Sequence, residues 1–289
     1  MKKNKNKIFY VVMGGIGNQL FQFANAYAFG KQNDYEIYAE KKYAFVSNFK
    51  FKRRYKLNYL INNTKTVNLK NQINIFIFFL LKKVGINFLY NLYLEFDHKR
   101  YNPLEITTNA NNLVLIGYWQ SEKYFLNYSK AINSKIRLPQ NGTVKFNYLL
   151  NLINNSNAVA VCVRVYDEIS NDKSFVGGEE QIDFYNRGFE FINKRIKNPK
   201  FFIFAQKKYD FLEKINSKSL CHFIIADDID FDEIYNLNLI VHCKYHLISN
   251  SSYYWWGAWL SEKRNISKLI IASKKFSNKD CIPSRWTVI

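Results

Sequence analysis

Residues 245–260, YHLISNSSYYWWGAWL, carry the clearest structural pattern in the sequence. A short apolar run at 245–248 gives way to three polar residues, Asn250, Ser251 and Ser252, and then to an aromatic run. The pattern predicts a strand, a tight loop and a helix, because Asn and Ser accept hydrogen bonds from the N–H groups of a helix's first turn. Those N–H groups and the positive end of the helix dipole also bind phosphates and other anions. An ordinary capped core helix explains the pattern equally well.

The predicted helix combines small and bulky residues. Gly257 and Ala258 would let it lie close on a sheet, while Trp255, Trp256 and Trp259 would fill the space around it. Both features are typical of a helix in a protein core.

The amino-acid composition is that of a folded globular protein with a strongly basic charge. With 289 residues, 48% hydrophobic and 18% aromatic, the chain has material for one large or two smaller domains, and wholesale disorder is excluded. The net charge of +19 suggests a polyanionic partner, which would be a nucleic acid, an acidic membrane face or a phosphorylated substrate. The basic residues are spread along the chain, and no RNA-recognition signature is present. A nucleic-acid-binding protein is therefore only a distant alternative.

The cysteines and the N-terminal residues bear on location. Four cysteines are scattered along the chain, and two of them lie inside apolar runs, which is typical of free thiols. Residues 2–7 lead into only six apolar-leaning residues before Gly14, too few for a secretory signal. The longest apolar run, 75–81, is too short to span a bilayer. We therefore expect a cytoplasmic location.

The N-terminal part has the opening of a nucleotide-binding fold. Residues 7–13 predict a strand, a glycine-rich turn follows, and residues 19–31 have the apolar spacing of a helix. Residues 35–39 predict a second strand. The turn lacks the third glycine of the G-x-G-x-x-G pattern, so a nicotinamide cofactor is not expected.

The middle of the chain is irregular between residues 41 and 100. Within it, residues 73–81 with Lys82 and Lys83 predict an apolar helix with a cationic end. This helix belongs either to the core of the first domain or on an anionic membrane face. Residues 113–117 predict a buried strand, followed by Tyr118, Trp119 and Gln120 and a helix from about Ser121. A polar turn at 139–142 places the domain boundary between residues 142 and 143.

The second half alternates between strands and helices. Strands are predicted at 159–165, 200–205, 221–226, 245–249 and 268–273, with helices between them. This alternation indicates βαβ units and a buried parallel sheet. The chain is therefore predicted to hold two Rossmann-like α/β domains, residues 1–142 and 143–289, that face each other across a cleft.

Three segments resemble one known family. Residues 14–30 (GGIGNQLFQFANAYAFG), 117–125 (GYWQSEKYF) and 250–260 (NSSYYWWGAWL) are similar to signatures of the bacterial α-1,2-fucosyltransferases, glycosyltransferase family 11. The resemblance implies a GT-B fold and transfer of L-fucose, with inversion, from GDP-β-L-fucose to the 2-hydroxyl of a terminal β-galactoside. It further implies that no metal or other cofactor is needed, and that the product is a bacterial O-antigen or another surface polysaccharide. The acceptor would be free or lipid-linked. Peripheral contact with the inner face of the cytoplasmic membrane is an expectation that rests on the apolar helix with a cationic end, not on the resemblance.

Arg164 is the leading catalytic candidate. It stands near the end of a predicted strand of valines and cysteine, where a cation is costly unless it meets an anion. Ligands of open α/β sheets gather at the carboxyl ends of strands, and an arginine there can grip a diphosphate with two parallel hydrogen bonds. A structural ion pair with Asp167 or Glu168 is the alternative.

The family motif His-x-Arg-Arg-x-Asp is only partly kept. The resemblance places Arg164 on its first arginine and Asp167 on its aspartate, whereas Cys162 and Val165 replace the histidine and the second arginine. It implies that Arg164 stabilises the leaving GDP, and Asp167 either accepts the proton of the acceptor hydroxyl or orients Arg164. These departures, with another at residues 205–207, leave open a different donor such as GDP-colitose.

The remaining candidates complete the expected site. Glycines permit close approach of the backbone to a ligand, and Asn18 can hydrogen-bond phosphate or sugar. The donor-binding candidates are Gly14, Gly15, Gly17, Asn18, Gln19, Arg164, Asn250, Ser251, Ser252 and Trp256. The acceptor-binding candidates are Tyr118, Trp119 and Gln120.

Metal ligands are not expected. His242, Cys243 and His246 fall within five residues, but no second cluster with zinc-like spacing accompanies them. The acidic residues at 227–230 are more simply a loop and a helix cap.

Overall fold

The computed structural model describes residues 6–42, 53–83, 90–95, 100–104, 112–165, 182–215, 221–225 and 232–289. The chain divides into two compact units, Met1–Ile136 and Arg137–Ile289. The boundary suggested by the sequence, after Gly142, falls inside the second unit, in the loop before its first helix.

The first unit is built on a four-stranded parallel sheet of order β2-β1-β4-β3. Two short 3₁₀ turns, Glu122–Tyr124 and Leu126–Tyr128, precede its last helix. The strands are β1 (Lys7–Val11), β2 (Glu36–Glu40), β3 (Asn91–Leu94) and β4 (Asn112–Ile116). The helices are α1 (Ile16–Gln32), α2 (Leu57–Leu60), α3 (Leu69–Lys83) and α4 (Ser129–Lys135).

The core of this unit forms where the helices cover the central strands. Phe9, Val11 and Val114 from β1 and β4 pack against Val67 and against Ile75 of α3. Helix α1 begins at Ile16, three residues before its predicted start, because extended Gly15 serves as its N-cap. Strand β3 lies in the segment that the sequence indicated as irregular.

The second unit carries a six-stranded parallel sheet of order β10-β9-β8-β5-β6-β7. A 3₁₀ helix, Asp210–Lys214, connects two of its strands. The strands are β5 (Asn157–Cys162), β6 (Pro199–Ala205), β7 (Cys221–Ile225), β8 (Tyr245–Ile248), β9 (Leu269–Ala272) and β10 (Thr287–Val288). The helices are α5 (Val144–Asn154), α6 (Ile182–Asn193), α7 (Glu233–His242) and α8 (Ser252–Lys263).

Helix α8 is the buried helix that the aromatic run predicted. Trp255, Trp256 and Trp259 are fully buried, and the Trp255 indole nitrogen donates to the carbonyl of Cys281 at 2.7 Å. Gly257, however, permits close packing on α7 rather than on the sheet, because a Cβ there would overlap the Ile240 side chain.

Strand β5 ends at Cys162, three residues before the predicted end of the strand. The amide of Val163 still donates to the carbonyl of Phe204, at 2.8 Å. After this bond, side chains rather than a neighbouring strand bond the backbone of β5. Tyr254 Oη donates to the Val163 carbonyl, and the Arg164 amide donates to Ser249 Oγ. Strand pairing of β5 therefore ends immediately before the residue that carries the guanidinium.

Among the described residues, no helix combines the length and the apolar character needed to cross a bilayer.

Candidate active site

Three strands of the second unit end in polar side chains at one edge of the sheet. Neighbouring β6, β5 and β8 are parallel, so their carboxyl ends meet, and Gln206, Arg164 and Ser249 follow them. Arg164 Nη1 lies 2.7 Å from Gln206 Oε1, and the Arg164 amide lies 3.2 Å from Ser249 Oγ. The edge is where ligands of open α/β sheets bind.

Two neutral groups accept hydrogen bonds from the guanidinium of Arg164. Nη1 donates to the Val165 carbonyl at 2.8 Å and to the Gln206 side-chain oxygen. The side chain is half-buried. The carbonyl and the side-chain amide carry no net charge, and these two bonds orient the guanidinium at the carboxyl end of β5.

Ser249 and Tyr254 hydrogen-bond the backbone of residues 162–164, next to the guanidinium. Fully buried Ser249 accepts from the Arg164 amide and donates to the Cys162 carbonyl at 3.0 Å. Tyr254 Oη lies 3.0 Å from the Val163 carbonyl and 3.1 Å from the Phe204 carbonyl, and its proton is shared between them. Burial raises the pKa of Tyr254, so its phenol remains a donor at neutral pH.

The N-terminus of α8 lies at the same edge. Ser251 is its N-cap, with an extended backbone, and Ser251 Oγ accepts from the Tyr254 amide at 3.5 Å. Asn250 and Ser251 are buried and Ser252 is half-buried. Because Tyr254, in the first turn of α8, also bonds the carbonyl preceding Arg164, the helix start and the arginine are coupled. A helix dipole and an arginine at one sheet edge are a favourable environment for a diphosphate.

In the first unit, the glycine-rich turn leads directly into α1. Gly14 has a φ of +74° and Gly15 is the N-cap. The fully buried side chain of Gln19 holds this turn: its nitrogen donates to the carbonyls of Gly14 (3.0 Å) and Arg54 (2.8 Å), and its oxygen accepts from the Lys56 amide (2.9 Å). Gln19 thus positions the turn, and its amide is engaged by the protein's own backbone.

Asn18 and Gln120 form a second polar pair in this unit. The Gln120 side-chain nitrogen donates to Asn18 Oδ1 at 2.8 Å, so a donor-binding and an acceptor-binding candidate, 102 positions apart in the chain, are in contact. The carboxylate of Glu95 accepts from the amides of Tyr118 and Trp119, and Trp119 is buried with a φ of +53°. Burial, and secondarily the charge of Glu95, raise the pKa of Tyr118.

Two residues were missed by the sequence analysis. Glu95 follows β3, a strand that was not predicted. Had that strand been recognised, the position of Glu95 at its carboxyl end would have marked it as a candidate. Gln206 was noticed only as a departure from the family pattern, whereas the structure brings it to Arg164.

Not every candidate lies where a ligand could contact it. Trp256 is fully buried, with its ring centroid 5.2 Å from that of Trp255 and 5.0 Å from that of Trp259, so it packs the core beneath the helix start. Gly17 is buried in the first turn of α1. Asp167 lies outside the described residues, and its predicted role stays a prediction.

The residues weighed as metal ligands bond to protein groups. His246 is fully buried between the Ile240 carbonyl (2.9 Å) and Ser267 Oγ (3.1 Å), and burial lowers its pKa to about 4. Cys243 Sγ contacts the Leu239 carbonyl at 3.5 Å, and His242 Nδ1 the Asn238 carbonyl at 2.8 Å. In the described ranges, no group of three His, Cys, Asp or Glu side chains is arranged to hold a metal ion. Residues 227–230 lie outside those ranges.

Sequence comparisons identify the family of this chain. The family model described as Glycosyl transferase family 11 matches residues 2–287. An alpha-1,2-colitosyltransferase of Escherichia coli is 30% identical over 264 residues, covering 86% of this chain and 85% of the relative. The O-antigen biosynthesis glycosyltransferase WbnK of Escherichia coli is 23% identical over 293 residues, covering 91% and 92%.

Solved structures share the fold at low sequence identity. The fucosyltransferase NodZ from Bradyrhizobium matches with a TM-score of 0.54 and 11% identity, over 93% of this chain and 95% of NodZ. POFUT1 in complex with GDP-fucose matches with a TM-score of 0.52 and 11% identity, over 100% and 98%. These neighbours are GT-B enzymes, and both units here are α/β with parallel sheets, as the sequence predicted. The chain therefore belongs to glycosyltransferase family 11 and has the GT-B fold.

Proposed function

We propose that the protein transfers L-fucose from GDP-β-L-fucose to the 2-hydroxyl of a terminal β-galactoside, with inversion, during synthesis of a bacterial O-antigen or another surface polysaccharide. The observation that carries this proposal is the placement of Arg164 beside the N-terminus of α8, at the carboxyl edge of a family 11 sheet. That arrangement suits the diphosphate of a nucleotide sugar. Solved structures with the same fold, POFUT1 and NodZ among them, were obtained with GDP or GDP-fucose.

The proposed chemistry is a single displacement. The acceptor oxygen bonds to the anomeric carbon while the bond from that carbon to the diphosphate breaks, and negative charge builds on the departing GDP. We assign the stabilisation of this charge to Arg164 and the α8 amides, and one preorganised donor of this kind contributes about 10²–10³-fold in rate. We propose that this stabilisation replaces the divalent cation that many nucleotide-sugar enzymes use.

The acceptor hydroxyl must also lose its proton. Asp167 is the proposed base, or else the group that orients Arg164, and a positioned base contributes about 10²–10⁴-fold. In the first unit, the Asn18–Gln120 pair and the glycine turn supply neutral hydrogen-bonding groups suited to a sugar. We assign them to recognition of the transferred sugar and the acceptor.

A second donor, GDP-colitose, is favoured by one specific observation. The relative that is 30% identical over most of this chain is an alpha-1,2-colitosyltransferase. Colitose is fucose without the hydroxyl at C3, so the two donors present the same diphosphate and differ at one sugar position. A site that hydrogen-bonds the 3-hydroxyl discriminates strongly between them, since its polar groups stay unpaired when colitose is bound.

The test offers both donors to one enzyme. GDP release is measured in EDTA with GDP-fucose and with GDP-colitose, using lactose as the acceptor and a 2-deoxygalactoside as the matched control. The proposal expects release that depends on lactose, is absent with the 2-deoxygalactoside and gives an α-1,2 linkage by NMR. Turnover with GDP-colitose but not with GDP-fucose would show that the donor is GDP-colitose. Transfer to the 2-deoxygalactoside would show that the 2-hydroxyl is not the acceptor group.

A further inference from the structure

Helix α3 of the first unit has apolar residues on two opposite sides. Its inner side carries Ile75 and Phe78, each only 1% exposed, with Ile75 in the core cluster beside Phe9 and Val114. Phe78 packs edge-on against Tyr90 at 5.5 Å between ring centroids. These inner contacts anchor the helix on the sheet.

The outer side of α3 is equally apolar but faces solvent. Because an α-helix turns about 100° per residue, the outer positions fall within an arc of about 100°, a single stripe. The stripe consists of Leu69, Ile73, Phe76, Ile77 and Leu80, which are 68%, 50%, 56%, 39% and 49% exposed. Neighbouring large apolar residues at this exposure mark an interaction surface.

The sequence segment that contains this stripe carries charge of one sign. Between residues 41 and 94 the sequence contains eleven Lys and Arg and no Asp or Glu. Lys70, next to Leu69 at the start of α3, is exposed. A surface that combines exposed Leu, Ile and Phe with basic residues matches an anionic bilayer, where apolar side chains enter the acyl boundary and cations meet the headgroups.

We propose that the outer stripe of α3 docks the protein on an anionic membrane surface. The helix has 15 residues and is about 22 Å long, shorter than the hydrocarbon core of about 30 Å, so it lies in the interface. A second copy of the chain is a poorer occupant, because pairing two such faces brings like charges together. A nucleic acid would use the cations but leave the apolar stripe in water.

The test is vesicle co-sedimentation of the full chain. Wild-type protein is titrated with vesicles of phosphatidylcholine and phosphatidylglycerol at 3:1, and with phosphatidylcholine alone. The triple variant Ile73→Ser/Phe76→Ser/Leu80→Ser removes the stripe. The matched control, Leu126→Ser/Val144→Ser/Tyr148→Ser, removes three side chains that are 48%, 89% and 63% exposed elsewhere.

We expect wild type and control to bind the anionic vesicles equally, and the triple variant at least tenfold more weakly. Lys70→Glu should weaken binding roughly fivefold or more, and Lys130→Glu, on α4, much less. Circular dichroism melting of each variant shows whether it is folded. The proposal would be overturned if the folded triple variant bound anionic vesicles as well as wild type does, or if wild type bound uncharged and anionic vesicles equally. It would also be overturned if wild type bound no vesicles but self-associated, and the triple variant did not self-associate.

Discussion

The turn before α1 allows a sharp prediction, because two adjacent glycines have different environments. Gly14 has a φ of +74°, and a Cβ there would lie 2.7 Å from Asn18 Nδ2. Gly15 has a φ of −73° and a ψ of 172°, and a Cβ there would meet nothing within 4 Å. The substitutions Gly14→Ala and Gly15→Ala therefore add the same methyl group to a strained and to an open position.

The expected cost of Gly14→Ala has two parts. A left-handed backbone costs a non-glycine residue about 1–2 kcal/mol. Displacing Asn18 also breaks its 2.8 Å hydrogen bond with Gln120, which contributes about 1 kcal/mol. We expect the free energy of unfolding to fall by about 2–3 kcal/mol for Gly14→Ala. For Gly15→Ala it should change by less than about 0.5 kcal/mol, because the lower chain entropy of the unfolded state offsets the weaker N-cap.

Two assays separate stability from binding. Urea unfolding followed by circular dichroism measures the free energies, and donor titrations measure KM. If a ligand approaches the start of α1 closely, Gly15→Ala raises KM at least tenfold at unchanged stability. Equal stability of the two variants would refute the strain argument, and an unchanged KM in Gly15→Ala would refute close approach of a ligand.

Three further predictions concern the second unit. Gln206→Glu places a carboxylate against the guanidinium of Arg164 and should weaken GDP affinity about tenfold, by calorimetry, since the two charges partly cancel. Gly257→Ala should lower the free energy of unfolding by about 1–2 kcal/mol, because overlap with buried Ile240 outweighs the better helix propensity. His246, with a folded pKa of about 4 against about 6.5 when unfolded, should contribute stability that is complete above pH 6.5 and falls by up to about 3 kcal/mol toward pH 4.

A control variant or a contrary outcome tests each of these three predictions. Gln206→Ala removes the contact without adding charge, so an equal loss of affinity in both variants would contradict the electrostatic reason. A Gly257→Ala protein as stable as wild type would show that Ile240 can shift. His246→Gln should flatten the dependence of unfolding free energy on pH between 6.5 and 4, and an unchanged slope would assign it to other groups.

Five of the six strands of the second unit, all except the two-residue β10, could be predicted because each is a short apolar run between polar loops. Such runs bury both faces of a parallel sheet, and their composition alone indicates it. Helix α5 was not predicted, although Thr143 caps it and Phe146, Leu149 and Ile153 have helical spacing. The end of β5 could not be predicted, since the side chains of Ser249, which follows β8, and of Tyr254 in α8 replace its strand partners.

The site was only half accessible from sequence. Arg164 stood out as a cation in an apolar strand, and the polar loop before α8 stood out by its capping residues. The contacts of Gln206 and Ser249 with Arg164 depend on β5 lying between β6 and β8, and strand order is set by tertiary packing rather than by local sequence. The same reason hid the Asn18–Gln120 pair.

The proposed mechanism requires Arg164 to stabilise the charge of the departing GDP without a metal. It is tested most directly by kcat/KM for sugar transfer in EDTA, compared between wild type, Arg164→Ala and the control Arg187→Ala, which removes an exposed arginine paired with Asp183. We predict a loss of about 10²–10³-fold for Arg164→Ala and no change for the control. Wild-type activity in Arg164→Ala, or activity that disappears in EDTA and returns with a divalent cation, would contradict it.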